Sequence, residues 1–294
     1  MNALSGNPDA RVTVRRSVNH PYVDMHTHDF VELVVVFSGT ALHRIGSTHF
    51  RLGRGDVFVV PFHTPHGYEE PADFNMANVI IRKDFFQHLR PAFAQVSGYH
   101  ALFTVTSESP VSDTGFESRM HLSEADMELA TSHINHIELE SNSGRGGGLL
   151  MAEAYLTLLI GMLSHNFGKS KSPAAPVPSV NTRLGQLLSW LEQHASAAVR
   201  LGDLCQQAGM SERTLLRHFR RATGSTPQDY LMQIRLRNVC RLLENPSLNL
   251  NNDEIALRCG FDSGNYLARQ FRKHMGCSPR AWAKSRKSVG GGVL

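Results

Sequence analysis

The chain carries one stretch twice. LGDLCQQAGMSERTLLRHFRRATGSTPQDYL at 201–231 is matched by NDEIALRCGFDSGNYLARQFRKHMGCSPRAWA at 252–283. Leu215, Arg217, Phe219, Arg220, Gly224 and Pro227 recur 52 positions later as Leu267, Arg269, Phe271, Arg272, Gly276 and Pro279. Upstream of a turn the offset is 51, relating Leu204, Gly209 and Met210 to Ile255, Gly260 and Phe261. A slip of one residue at a turn leaves the helices on either side intact, so the stretch is one supersecondary unit used twice.

Each copy reads as a helix, a short turn opening on glycine and a second helix, which is the grammar of a helix-turn-helix. Gly209 and Gly260 are placed to end the first helix in the left-handed region. Ser211, and Asp262 or Ser263, are placed to cap the second. In the first copy Leu215 and Phe219 share a face for the core, while Arg213, Arg217 and Arg220 share another. A basic outward face on the second helix suits the major groove, where arginine reaches two acceptors of guanine and neighbouring cations contact phosphates. The second copy presents Ser263, Gly264 and Asn265 first, with Asn265 able to pair with adenine, and then Arg269, Arg272 and Lys273. Pro227 opens a long amphipathic helix to Asn245 that fixes the spacing of the two units, so that both can enter successive major grooves.

The charge distribution agrees. From Arg183 onward, 17 Lys and Arg stand against 8 Asp and Glu, which leaves 13 against 18 before it, although the whole chain is only +4. A polyanionic partner is therefore expected for the last third alone. All four cysteines (Cys205, Cys240, Cys259, Cys277) lie in that third in apolar helical surroundings without a C-x-x-C pair, as expected of reduced, buried thiols. There is no charged-then-apolar leader, and the longest apolar segment, Leu149 to Leu163, is interrupted by Glu153 and short for a bilayer. The expectation is a cytoplasmic protein with no membrane partner.

The first part of the chain has a different pattern. Residues 11–82 hold short apolar runs, VELVVVF, ALHRI, HFRL, VFVVP and ANVIIR, separated by Gly39, Gly46 and GRGD. Such runs indicate a small antiparallel barrel or sandwich. DFFQHL is expected to be a short helix capped by Asp84, and Ser123 with Asp126 forms a capping box for a helix to Glu140. A strongly apolar helix, Leu149–His165, follows. These two helices cover the barrel, join two copies of the chain, or do both. GKSKSPAAPVPS at 168–179 is a linker by composition. The expected organisation is a barrel domain at 1–167, a linker at 168–182, a DNA-binding domain at 183–288 and a tail at 289–294. The fold class is α+β.

Within the barrel, HTHDFVE puts His26, His28 and Glu32 at spacings that share one face of a strand. Imidazole and carboxylate suit zinc, iron or manganese.

IALRCGFDSGNYLARQFRKHMGCSPRAW closely resembles the C-terminal signature of the AraC/XylS family of transcription regulators, and the resemblance spans roughly residues 183–285. Further upstream HTHDFVELVVVFSGTALHRI, GDVFVVPFHTPHGY and NMANVIIR are similar to the rhamnose-operon activators within that family. The resemblance implies a sensor domain with a cupin-like β-barrel and flanking helices, binding a small effector, often a sugar. It implies a C-terminal all-α double helix-turn-helix domain, a promoter DNA partner, RNA polymerase and a homodimer formed through the sensor. By matched position Arg213 and Arg217 contact bases with Leu216 beside them, as do Asn265 and Arg269 with Ser263 and Gly264 beside them. Ser263 stands where the rhamnose regulators carry an acidic residue, so their operator sequence does not transfer.

HTHDFVELVVVFSG also fits the cupin pattern H-x-H-x3-E-x6-G, with Gly55, Asp56, Pro61 and His66 as a second motif. Metal-binding cupins would use His26, His28, Glu32 and His66. Three uses are open: a divalent metal site; an effector pocket of His26, His28, Glu32, His43, His63, His66 and Tyr68; or a structural polar cluster. A resident cofactor is not required by the regulator reading, and a metabolic barrel enzyme would have no use for a duplicated DNA-binding unit.

Overall fold

The computed structural model describes residues 9–46, 48–105, 119–167 and 180–290. Most of the expected linker, 168–179, and the end of the tail, 291–294, lie outside them. The described chain forms two compact units. One runs to Ser189 and takes in Arg221–Thr223; the other holds Trp190–Arg220 and everything from Gly224.

The first unit is built on seven antiparallel strands: β1 (Val12–Ser17), β2 (Val23–His26), β3 (Val31–Ile45), β4 (Thr48–Gly53), β5 (Asp56–Val60), β6 (His66–Ile81) and β7 (Arg119–His121). The path runs β1-β6-β3-β5-β7, with β2 on β6 and β4 on β3. VELVVVF and ALHRI are one strand, not two, because Gly39 bends β3 without breaking it. Its φ is +72°, and a Cβ there would lie 2.1 Å from the Asp73 carbonyl oxygen. Only glycine fits that crossing of β3 over β6. Alternation then separates two cores. Val34, Val36, Ala41, Phe58, Tyr68, Phe74 and Met76 fill the inside of the folded sheet. Val31, Leu33, Val35, Val57 and Val79 face outward to the helices.

Those helices are α1 (Lys83–Leu89), α2 (Ser97–Tyr99, running into a π-helical turn to Thr104), α3 (Glu124–Asn142) and α4 (Gly148–Phe167). Ser123 caps α3 as its pattern requires, accepting from the Asp126 N–H. Asp84 does not cap α1. The helix leaves β6 directly at an extended Arg82, and Asp84 sits in the first turn, where its charge meets the helix dipole and Arg82. α4 is 20 residues long, longer than its sequence pattern suggests and enough by length and composition to cross a bilayer. Its Ala152, Leu156, Leu159, Ile160 and Leu163 are buried in the core shared with α3, and Glu153 is ion-paired with Arg11 at 2.7 Å.

A further helix, α5 (Val180–His194), starts three residues ahead of the boundary drawn at 183, and the division into units falls within it. The second unit continues with α6 (Leu201–Ala208), α7 (Glu212–Thr223, whose last three residues are those grouped with the first unit), α8 (Pro227–Glu244), α9 (Asn252–Cys259), α10 (Gly264–Met275) and α11 (Pro279–Gly290). The duplication survives in three dimensions. α6 and α9 have eight residues each, and α7 and α10 have twelve. Gly209 and Gly260 close the first helix of each pair at φ +58° and +79°. Ser211 and Ser263, rather than Asp262, cap the second helices. α8 is anchored by Arg237 on Glu192 at 2.5 Å and by Arg235 on the carbonyls of Ala195 and Ala197.

Candidate DNA-reading helices and sensor cluster

α7 buries Leu215 and Phe219 completely and leaves Arg213, Arg217 and Arg220 exposed along its other side. Leu216 is half-buried between the two faces. α10 repeats this with Leu267 and Phe271 buried and Asn265, Arg269, Arg272 and Lys273 exposed. Arg269 lies over the Tyr266 ring at 5.2 Å, which orients its stem along the helix. Ser263 is exposed, with its hydroxyl accepting from the Tyr266 N–H as the cap. Gly264 departs from its expected place beside the contacts. It is buried, its N–H donates to Asp253 at 2.7 Å, and a Cβ would meet the same carboxylate. Its smallness lets α10 start against α9, which is a packing reason for glycine at this place.

The barrel cluster is assembled differently from its sequence pattern. β2 ends at His26 and β3 begins at Val31, so His26, His28 and Glu32 do not share a strand. Glu32 points inward from β3 at 6% exposure, and His66 enters from β6, fully buried. His28 reaches them from the intervening loop, which is held by the His63 N–H donating to the His28 carbonyl at 2.7 Å. His28 Nε2 stands 3.6 Å and His66 Nε2 3.4 Å from the same carboxylate oxygen of Glu32. On their other side, His28 Nδ1 is bound to the Phe30 carbonyl at 2.8 Å and His66 Nδ1 to the Thr64 carbonyl at 3.0 Å. Burial alone would raise the Glu32 carboxyl, but the two imidazoles outweigh it and hold it down to about 2, so the buried group is ionised.

The other expected pocket residues take three distinct places. His26 is exposed, its ring 4.3 Å from that of His66 and its Nδ1 bound to the Asp24 carbonyl. His43 and Tyr68 are buried behind the cluster, their rings 5.0 Å apart, with Phe58 against His43 at 4.7 Å. His63 is exposed in the turn before β6 at φ +60°, and it serves the cluster through its backbone.

Residues 7–112 match the AraC-like ligand binding domain and residues 204–285 match a helix-turn-helix domain. The chain is 30% identical to the HTH-type transcriptional activator RhaR of Salmonella dublin, over 87% of this chain and 86% of that protein. The RhaR of Salmonella typhimurium shows the same identity and coverage.

The chain belongs to the AraC family.

Among solved structures it is similar to the DNA-binding domain of AdpA in complex with a target DNA. That likeness has 33% identity and a TM-score of 0.35, covering 38% of this chain and 98% of that one.

Two features of this AraC-family barrel were beyond the sequence reading. The ring of His20 packs edge-on against Tyr68 at 4.9 Å and Phe74 at 6.1 Å, and burial lowers its basicity. No spacing rule links it to HTHDFVE. A shallow cleft of about 320 Å³, lined by residues including Tyr22, Asp24, Arg44 and Glu69, opens beside β2.

His43 gives the barrel a defined pH response. Burial, followed by the His66 charge, pushes its imidazole from 6.5 down to about 3. The unfolded chain takes up a proton near pH 6.5 that the folded chain refuses until about 3. Stability is therefore lost as pH falls through that window, by up to about 1.4 kcal/mol per pH unit. In His43→Phe this component is absent, and urea titrations at pH 7 and pH 5 should differ less than for the natural chain. Equal pH slopes would contradict it.

Proposed function

We propose that the chain is a transcriptional activator, regulatory rather than enzymatic. Its N-terminal unit senses a small effector, a sugar in the first instance, and its C-terminal unit binds promoter DNA. The duplicated pair α7 and α10, each with a buried apolar face and an exposed face of arginines, carries this reading. In it Arg213, Arg217, Asn265 and Arg269 read bases, while Arg220, Arg272 and Lys273 hold phosphates. The relatives named transcriptional activators support the output, which acts on RNA polymerase in the cytoplasm. Residues 1–167 serve sensing and dimerisation, 168–182 connect, and 183–288 bind DNA.

The effector meets the barrel where His26, His28, Glu32 and His66 stand, with His43 and Tyr68 behind them. The neighbouring cleft offers the Tyr22 hydroxyl, two carboxylates and a guanidinium, groups that bind hydroxyls. Leu129, Leu139, Leu150, Met151 and Leu158 remain exposed on α3 and α4, which supports a homodimer through these helices.

The test is thermal unfolding of the full chain against a panel of sugars and other small metabolites. One sugar should raise the melting temperature in proportion to its affinity. A shift produced only by a non-sugar metabolite would replace the sugar, and no shift by any compound would contradict the sensor.

A further inference from the structure

We infer that Leu216 in α7 and Ala268 in α10 each meet the C5-methyl group of a thymine in the DNA element that their helix reads. The inference rests on the reading of α7 and α10 as base-reading helices. It adds a base that the arginines, suited to guanine, and Asn265, suited to adenine, do not select.

The duplication places the two residues alike. Leu216 and Ala268 stand 52 positions apart, the offset that also relates Arg217 to Arg269 and Arg220 to Arg272. Each follows the first polar residue of its face, Arg213 or Asn265, by three positions and precedes the next arginine by one. Four positions at helical spacing therefore line one side of each helix. Three of the four are polar in both copies, and the same one is apolar in both. A face made only to hold phosphates gains nothing from an apolar residue there.

Their surroundings leave them open. Both are half-buried, whereas Leu215, Phe219, Leu267 and Phe271 are fully buried in the core. Among the described residues, the half-buried side chain of α10 that packs against the core around Phe271 is Tyr266, not Ala268. The adjoining arginines lean the other way. Arg217 approaches the His218 ring nitrogen at 3.3 Å, and Arg269 lies over the Tyr266 ring at 5.2 Å. Going around each helix, His218 and Tyr266 stand on the far side of the arginine from Leu216 and Ala268. Neither guanidinium is drawn across the apolar position.

The chemistry of the major groove then names the base. Guanine, adenine and cytosine present donors and acceptors there, and thymine adds a methyl group. A side chain with no donor or acceptor leaves a polar edge unpaired. Against the methyl it removes apolar surface from water.

The experiment uses the full chain and a duplex site selected from a random library. Each thymine of the two elements is replaced singly by deoxyuridine, which removes the methyl and keeps every hydrogen-bonding group. Fluorescence anisotropy at fixed salt gives the affinities. One replacement in each element should weaken binding about fourfold, the worth of one apolar carbon withdrawn from water. In Leu216→Ser the replacement in one element should cease to matter, while that in the other keeps its full effect. Ala268→Gly should do the reverse, with circular dichroism checking that both variants fold. A merely structural role would weaken all duplexes alike and leave both ratios unchanged. Equal binding of the natural chain to every deoxyuridine duplex overturns the inference, even if neither variant folds, and so does a selected element without thymine. Ratios that survive in both folded variants overturn the assignment to Leu216 and Ala268. A site whose guanines matter while its thymine methyls do not keeps the reading helices and loses the methyl contact. A natural chain that selects no site removes the reading helices, and the inference falls with them.

Discussion

Arg217→Ala combined with Arg269→Ala weakens binding to a selected duplex site by about 2–6 kcal/mol, the sum of two base contacts of about 1–3 kcal/mol each. The two arginines hold equivalent places in α7 and α10, exposed and opposite the buried pairs Leu215 with Phe219 and Leu267 with Phe271. Their removal opens no cavity, so unfolding should stay within about 0.5 kcal/mol of the natural chain. Fluorescence anisotropy across a salt series separates their role from that of their neighbours. Arg220→Ala and Arg272→Ala should each reduce the salt slope by about 1 and leave base preference alone. If Arg217→Ala leaves binding unchanged while Arg220→Ala or Arg272→Ala weakens it, the reading residue has been assigned wrongly.

Phe271→Ala should act through stability instead, at about 3–5 kcal/mol. Phe271 is fully buried, meets Trp282 edge-on at 6.2 Å and lies in the cluster formed with Leu236, Val239, Ile255 and Leu267. Truncation leaves a cavity between α8, α9 and α10 that their fixed spacing cannot close. The loss is a large share of the roughly 5–15 kcal/mol that holds a domain together. The chain's two tryptophans, Trp190 and Trp282, both lie in the second unit. Their fluorescence therefore reports its unfolding in urea. The midpoint should fall sharply, and DNA binding should fail at temperatures the natural chain tolerates. An unshifted midpoint would mean that the second reading helix is not held by this core.

The helical unit was the more readable half because its signals are local. Gly209, Ser211, Gly260 and Ser263 act within one turn of where they stand, and the 3.6-residue period assigns each face. Gly264 escaped because its reason is a contact with Asp253 across a turn, and nothing in GNY indicates that α9 lies so close. The barrel was readable as a class but not in its joints. Gly39 looked like a turn because glycine marks turns. Its actual function is to let β3 pass the Ala72–Asp73 backbone, a long-range crossing that no window of sequence contains. HTHDFVE misled in the same way. Two-residue spacing predicts a shared face only while the strand lasts, and β2 stops at His26. His28, Glu32 and His66 meet through the pairing of β3 with β6 and a loop tied down by His63. The residue types were visible, and the arrangement was not.

The most direct test of two equivalent reading helices is selection of duplex sites from a random library with the natural chain, Arg217→Ala and Arg269→Ala. The account predicts two short preferred elements in successive major grooves, about 10–10.5 base pairs apart. Arg217→Ala should relax one element and Arg269→Ala the other. A single preferred element, or two elements relaxed alike by either substitution, would contradict it.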